Sequence, residues 1–279
     1  MPTLVSLIAA LSLAGAADPA PAGPAASTLR IVYTAEVRGN LLPCVCPTRP
    51  LGGLARRIGW VDSLRTASTV PTVVVDAGAL LPGPAFYPLL APEDLAGLRA
   101  LHVEAAERIG YAAIVGEPAG PEEGSLPWLP PNRSRTVEVA GRSIRFVAVG
   151  EDVPFVAEEG LPASVGSADL TVLLCDGDLH LALRSAPLVK ADVAVVSRGA
   201  LYRSPLERGG TLFLGPGAEG KQVGAITVQF AGTGEFRLSQ ATLRPMDRAV
   251  PVPREWQRRV EETVLWLERR SPSGLAPAE

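Results

Sequence analysis

The chain has 279 residues, of which 47% are apolar and 20% are charged, so it can bury one large core and is not disordered in composition. Its 26 basic and 29 acidic residues give a formal net charge of −3, which offers no basic face for nucleic acid. The two histidines exclude a site built from several imidazoles, and the three cysteines exclude a disulfide scaffold.

Residues 1–17 are predicted to be a secretory signal peptide. An apolar and small-residue run over 4–17 ends with the small residues that a cleavage site requires. The run is shorter than the roughly 18 apolar residues of a membrane span, and no later stretch approaches that length. We therefore expect a secreted or periplasmic protein without a transmembrane segment, in which residues 18–28 form an extended linker.

Strand and helix patterns alternate from Leu29 onward. Runs of β-branched and apolar residues predict strands over 29–34, 72–76, 111–115, 135–139, 143–149, 170–174, 193–196 and 211–214, then a long hairpin over 221–243. Apolar residues at helical spacing predict helices over 53–67, 94–109, 179–185 and 253–269. The last helix should pack on the body as a clasp through Trp256, Val260, Val264 and Leu267. This pattern predicts an α/β sandwich with mixed sheets, with a main domain over 29–250 and a C-terminal helix and tail over 251–279.

Five loops at the carboxyl ends of predicted strands carry polar residues. They are residues 34–40, 76–79, 116–119, 175–178 and 197–200. In layered α/β folds, ligands bind beyond these strand ends because the loops there vary while the sheet holds them in place. We therefore expect a site at this edge of the fold.

In chain order, these loops resemble the signature blocks of the calcineurin-like metallophosphoesterases, in particular the secreted 5′-nucleotidase branch. The family blocks read approximately D-x-H-G-N, D-A-G-D, G-N-H-E, S-H and G-H-T-H. A bacterial subgroup also carries a P-C-x-C-P block before G-G-L-A-R-R, which residues 43–47 and 52–57 match here. The resemblance covers residues 29–250 and implies a four-layer α/β/β/α metallophosphatase sandwich.

The metal ligands of the family are replaced in this chain. The resemblance implies two metal ions that activate a water and polarise the phosphoryl group. The positions that match the family's ligands are Glu36, Arg38, Ala79, Glu117, Asp176, Arg198 and Ala200, and Pro118 replaces a histidine that helps to stabilise the transition state. No ligand of the family is intact, and Ala79 removes the bridging carboxylate. His102 and His180 lie in predicted helices, where packed or surface roles are expected.

Two arginines stand where the family places metal ligands. A guanidinium can satisfy carboxylates bidentately, so Arg38 and Arg198 could form an ion-pair cluster with Glu36, Glu117 and Asp176 that holds the vacated cavity together. Alternatively, these side chains point apart on a solvated rim. A further use of the arginines is the binding of a phosphate or another small anion without hydrolysis.

The cysteines form a second candidate site. Cys44 and Cys46 are separated by one residue, so a bridge between them would be strained and easily reduced. With Cys175, three thiolates could bind a soft metal such as zinc or copper(I), or Cys175 could act as a resolving thiol. The alternative is a structural Cys44–Cys46 bridge, with Cys175 as a buried apolar residue.

The combined expectation is a pseudoenzyme. The sequence predicts a secreted protein of metallophosphatase fold without a metal or other cofactor, which acts as a binding or redox-responsive module for an unknown small anion or protein partner. The first alternative is a weak phosphoesterase that depends on a divalent metal such as Mn, Zn or Fe. The second is a thiol redox or soft-metal-binding protein. The resemblance also implies a second domain that clamps the base in the 5′-nucleotidases, and we expect it to be missing here because only 29 residues follow residue 250.

Overall fold

The computed structural model describes residues 27–151, 168–199, 201, 204–232, 235–239 and 241–270. The predicted signal peptide, most of the predicted linker and the tail after Arg270 lie outside these residues, as does Ala200. Ser27 and Thr28 correct the linker prediction, because they already belong to the first strand.

Strands and helices occupy most of the positions that their patterns predict. The strands are β1 Ser27–Thr34, β2 Thr72–Asp76, β3 Tyr111–Val115, β4 Trp128–Leu129, β5 Ser134–Val139, β6 Arg142–Gly150, β7 Leu170–Asp176, β8 Val193–Val196, β9 Leu206–Arg208, β10 Thr211–Leu214, β11 Gln222–Phe230, β12 Phe236–Leu238 and β13 Thr242–Pro245. The helices are α1 Leu54–Ala67, α2 Pro92–Ile109, α3 Leu179–Val189 and α4 Arg254–Arg270. The short strands β4 and β9 were not predicted.

These strands build two mixed sheets. The spatial order of the first is β12-β11-β1-β2-β3-β4, with β13 also beside β11, and β1 to β4 run parallel. The order of the second is β5-β6-β7-β8-β10-β9, in which β6, β7, β8 and β10 run parallel. The carboxyl ends of the parallel strands therefore gather at one edge of each sheet.

The predicted hairpin over 221–243 is wrong in its detail. β11 pairs antiparallel with β1 on one edge and with both β12 and β13 on the other. Between the two short strands, the Ser239 N–H donates to the carbonyl oxygen of Thr227 at 2.9 Å. The apolar alternation changes phase between Leu238 and Ala241, across Ser239 and Gln240, and this change was the sign of the break that the hairpin prediction missed.

Alternation of side chains along the strands creates the layers. In β1, Ile31 and Tyr33 pack into the core between the two sheets, whereas Val32 packs against the helices. The helices α1, α2 and α4 lie outside the first sheet, and α3 lies outside the second. This is the expected four-layer α/β/β/α sandwich. None of the helices in the described parts of the chain has the length and apolar character to cross a bilayer.

The C-terminal helix α4 packs against α1 and α2. Trp256, Val260 and Leu267 are buried in the core on that side, and Val264 is partly buried beside them. The helical spacing of these four residues therefore predicted the face that packs.

Candidate functional site

The loops that follow β1 and β2 are joined by backbone hydrogen bonds. Glu36 N donates to the carbonyl oxygen of Gly78 at 2.9 Å, and Arg38 N donates to that of Ala79 at 2.6 Å. The φ angles of Glu36, Arg38 and Ala79 are 50°, 55° and 54°, in the left-handed region that is costly for residues with a side chain. Such strain persists only where the surroundings fix the backbone, so both loops hold a defined shape.

The two sheets meet at this same edge. A Cβ atom on Gly78 would lie 2.7 Å from Oδ1 of Asp176, so the loop after β2 touches the loop after β7. Arg198 N donates to the carbonyl oxygen of Gly177 at 3.0 Å, which brings in the loop after β8. The structure thus gathers most of the predicted site residues at one place: Glu36, Arg38, Ala79, Asp176 and Arg198.

Arg38 and Glu36 form the ion pair at the centre of the site. Nε and Nη2 of Arg38 lie 2.7 Å and 2.6 Å from Oε2 of Glu36. The carboxylate is buried, while the guanidinium lies over the ring of Phe86 and stays 40% exposed. A buried carboxylate is costly without a charged partner, and Arg38 supplies two donors to it.

Arg198 pairs with a residue that the sequence interpretation missed. Its Nη2 lies 2.8 Å from Oε2 of Glu151, and both side chains are exposed to a large extent. Glu151 follows β6, for which the sequence indicates only a hairpin with β5. Because β6 also runs parallel to β7, its carboxyl end lies at the site edge. The Gly150-Glu151 dipeptide after an apolar run was the signal that could have found it.

Asp176 lies between the two ion pairs. Burial raises the pKa of the Asp176 carboxyl, as does the negative charge of Glu36, whereas Arg198 and a hydrogen bond from Ser197 lower it. The Ser197 hydroxyl donates to Oδ1 of Asp176 at 3.3 Å. Asp176 is therefore close to Glu36 and Arg198, and among the described residues it has no direct ion pair of its own.

The remaining predicted positions lie apart from these contacts. Glu117 and Pro118 follow β3 and are exposed, and no ion pair to Glu117 is found within the described ranges. The ion-pair hypothesis is supported for Arg38 with Glu36 and corrected for Arg198, whose partner is Glu151. Both arginines are already engaged by carboxylates.

Asp76 forms a buried hydrogen-bonded group beneath the site. The Thr34 hydroxyl donates to Oδ2 of Asp76 at 2.6 Å, and Gly78 N donates to Oδ1 at 2.9 Å. The hydroxyl of Tyr111 lies 3.2 Å from Oγ1 of Thr34. Burial raises the pKa of Asp76 to about 7 against the lowering effect of these donors and of the Arg57 charge. These contacts position the end of β2 rather than a ligand.

The residues present do not fit the two metal ions that the resemblance implies. The guanidinium of Arg38 donates both of its hydrogen bonds to Oε2 of Glu36, so this oxygen is not available to a metal ion. The guanidinium also places a positive charge where a cation would have to bind. Ala79 offers a methyl group at the bridging position, and Glu117 lies on the exposed surface. Across the described ranges, no group of three or more His, Cys, Asp or Glu side chains is arranged to hold a metal ion.

The two histidines also lie outside the cluster. His102 is buried in α2 with Nδ1 2.9 Å from the carbonyl oxygen of Leu98, and burial lowers its pKa to about 4. His180 is exposed on α3.

The three thiols divide into a pair and a buried residue. Cys44 is partly exposed and Cys46 is exposed, and both are free thiols, so the structural bridge does not form in this structure. Cys175 is fully buried between β7 and α3, and burial raises its pKa to about 12. The predicted three-thiolate arrangement is therefore absent, and Cys175 packs as a small apolar residue.

Solved metallophosphatase structures share this architecture. The 5′-nucleotidase precursor of Thermus thermophilus matches with a TM-score of 0.60 and 17% identity, over 87% of this chain and 59% of that one. The NAD nucleotidase of Haemophilus influenzae gives 0.58 and 13%, over 89% and 61%. The calcineurin-like phosphoesterase YfkN of Bacillus subtilis gives 0.60 and 13%, over 90% and 99%. No family profile and no curated protein sequence matches the chain.

The chain has the metallophosphatase fold, with two mixed sheets between outer helices. It spans about three fifths of the length of the two nucleotidases, at 59% and 61% of their chains. Sequence identities this low establish the fold and leave the chemistry to the residues at the site.

Proposed function

We propose that this chain is a secreted metallophosphatase-fold protein that has lost the dimetal centre and the hydrolase activity and acts as a binding module. The observation that carries the proposal is the Arg38–Glu36 ion pair, with nitrogen-to-oxygen distances of 2.7 Å and 2.6 Å at the first ligand block. A divalent cation at this place would have to displace a guanidinium from a buried carboxylate and then stay beside a positive charge.

Other groups that metal-dependent phosphoester hydrolysis requires are also replaced or already engaged in this site. Metallophosphatases need a metal-activated water and a charge clamp on the phosphoryl group. Ala79 supplies neither charge nor oxygen, and the buried His102 is held neutral by its low pKa of about 4. Asp76 is occupied by Thr34 and Gly78. Among the residues that the structure describes, Asp176 is thus the one carboxylate of the cluster without an ion pair, and Ala79 leaves no bridging carboxylate.

Arg198 is the residue through which this module would bind an anionic group, of a small molecule or of a protein. Its ion pair with Glu151 is exposed, and exposed pairs contribute only about 0–1 kcal/mol, so a ligand carboxylate or phosphate can replace Glu151 at low cost. Arg38 is held by a buried partner and by Phe86, and it is not released as easily. The ligand would thus approach from the side of the second sheet.

The test combines metal analysis with an activity assay. We expect the purified protein to contain no stoichiometric Mn, Zn or Fe and to turn over neither p-nitrophenyl phosphate nor AMP when these metals are added. Metal-stimulated turnover that is abolished by Asp176→Asn would contradict the proposal and establish the weak phosphoesterase.

A variant that restores ligands makes this test sharper. The triple change Glu36→Asp, Arg38→His and Ala79→Asp returns three family ligand types, and we expect it to bind divalent metal more tightly than the wild type. Arg65→His on α1 adds a histidine away from the site and serves as the control. Equal metal affinity of the wild type and the triple variant would show that the Arg38–Glu36 pair does not exclude metal.

A further inference from the structure

Residues 43–52, which we call the thiol loop, are closed at the base by backbone contacts. Pro43 and Gly52 form a β-bridge, and Cys44 N donates to the carbonyl oxygen of Leu51 at 2.8 Å. Nη1 of Arg56 donates to the carbonyl oxygen of Pro50 at 2.8 Å. The loop is therefore held at both ends, with Cys44 at its closed base and Cys46 further out on its exposed part.

The two thiols have different surroundings. Leu51 N donates to Sγ of Cys44 at 3.2 Å, and this contact favours the thiolate form. The Cys46 thiol is hydrogen-bonded to Cys44, and the ammonium of Lys221 acts on both sulfurs. Burial raises the pKa of Cys44, but these donors and Lys221 outweigh it and leave the pKa below its ordinary value. The pKa of Cys46 is raised because its proton is shared with Cys44.

We propose that Cys44 and Cys46 form a thiol–disulfide exchange site, in which Cys44 attacks an accessible disulfide and Cys46 resolves the mixed disulfide. The geometry supports this assignment, since Cys44 is held by Leu51 and partly exposed, while Cys46 lies beside it on the exposed part of the loop. Cys175 takes no part, because it is buried under α3.

The exchange is balanced in two steps. The Cys44 thiolate attacks one sulfur of a disulfide RSSR′, a Cys44–SR bond forms, and R′S⁻ leaves with the proton of the Cys46 thiol. The Cys46 thiolate then attacks the sulfur of Cys44, and RS⁻ leaves and takes a proton from solvent, which replaces the one that Cys44 had lost. RSSR′ is reduced to RSH and R′SH while the pair is oxidised to a disulfide. A disulfide across one intervening residue is strained, so it returns its oxidising equivalents readily to other thiols.

The experiment uses the purified, reduced full chain with glutathione disulfide and, separately, a disulfide-containing peptide. The wild type should lose two hydrogens and gain a Cys44–Cys46 bond, as mapped by mass spectrometry of the digested protein. Cys46→Ser should accumulate a mixed disulfide on Cys44. Cys44→Ser should react more slowly, although its hydroxyl still accepts the hydrogen bond of Leu51 and so preserves the loop. Cys175→Ser serves as the matched control and should behave as the wild type in exchange.

The outcomes distinguish small-molecule from polypeptide disulfide substrates, and they test the exchange site separately from the loss of hydrolase activity. Oxidation by glutathione disulfide alone would assign a small-molecule substrate, and oxidation by the peptide as well would extend it to polypeptides; either supports exchange at this site. An unchanged rate in Cys44→Ser, or a reduced pair that resists both disulfides, would overturn the inference. These readouts involve no metal and no phosphate ester, so they are independent of whether hydrolase activity has been lost.

Discussion

At the scale of single residues, Asp76 combines a buried carboxyl with several donors. Burial raises its pKa to about 7 in the folded chain, whereas the pKa of an aspartate in an unfolded chain is about 3.9. Between these two pKa values, the Asp76 carboxyl is therefore protonated in the folded state and ionised in the unfolded state. The contribution of Asp76 to stability is greatest below the unfolded pKa, and it falls as the pH rises towards about 7.

The variant Asp76→Asn tests this linkage. Asparagine keeps an oxygen for the Gly78 N–H and cannot ionise, so the free energy of unfolding should lose much of its decline between about pH 4 and pH 7. Urea denaturation at several pH values measures the effect. Val75→Ala on the same strand removes no titratable group and should lower the free energy of unfolding by a similar amount at every pH. An identical pH profile for Asp76→Asn and the wild type would show that Asp76 is ionised throughout.

Lys221 is the charged residue that distinguishes the thiol pair from two ordinary surface cysteines. Its Nζ lies 2.7 Å from Oε2 of Glu219, and its positive charge lowers the pKa of Cys44. Lys221→Met should raise that pKa and slow alkylation of Cys44 at pH 7, because a smaller fraction of the thiol is then ionised. Rates of iodoacetamide labelling in the Cys46→Ser background measure it. Arg269→Met removes a positive charge from α4 and should not alter the rate.

At the scale of elements, the contact between the two sheets depends on Gly78. Its φ is +130°, and a Cβ there would lie 2.7 Å from Oδ1 of Asp176. Gly199 has a similar φ of +123° but open space around its Cβ position. Both glycines therefore need a positive φ, but only Gly78 has neighbouring atoms that would clash with a Cβ.

The matched pair Gly78→Ala and Gly199→Ala isolates the cost of crowding between the sheets. Both should suffer backbone strain of about 1–3 kcal/mol. Gly78→Ala should lose a further amount of about 1–3 kcal/mol, because the loops after β2 and β7 must move apart. Thermal denaturation of both variants measures the difference. Equal destabilisation would mean that Asp176 can move aside freely.

The sequence predicted most elements because each pattern is local. It grouped Arg38 and Glu36 in one hypothetical ion-pair cluster, and their pairing within it follows from the short loop that they share. It did not predict the partner of Arg198. Glu151 is placed by the parallel pairing of β6 with β7, and that pairing is decided by the core between the sheets rather than by the residues near Glu151. The split of the last hairpin into β12 and β13 has a local signal, because the apolar alternation changes phase between Leu238 and Ala241.

At the scale of the whole molecule, α4 closes the outer side of the helical layer. It is joined to α2 by ion pairs from Arg259 to Glu104 and from Arg270 to Asp94, of which Asp94 is buried. The Arg259–Glu104 pair is partly exposed and adds little to stability, and Arg270 mainly offsets the cost of burying the Asp94 carboxylate. The apolar face of α4 should therefore provide most of the energy that holds it in place.

Two leucines on α4 test whether its apolar face or its ion pairs hold the helix in place. Leu267 is 0% exposed in the core with α1 and α2, whereas Leu265 is 51% exposed. Leu267→Ala should reduce the free energy of unfolding by about 2–5 kcal/mol, because it removes buried methyl groups and leaves a cavity. Leu265→Ala, the same change two residues away, should stay within about 0.5 kcal/mol of the wild type. Urea denaturation followed by circular dichroism measures both. If the two variants lose equal stability, α4 is held by its ion pairs and not by its apolar face.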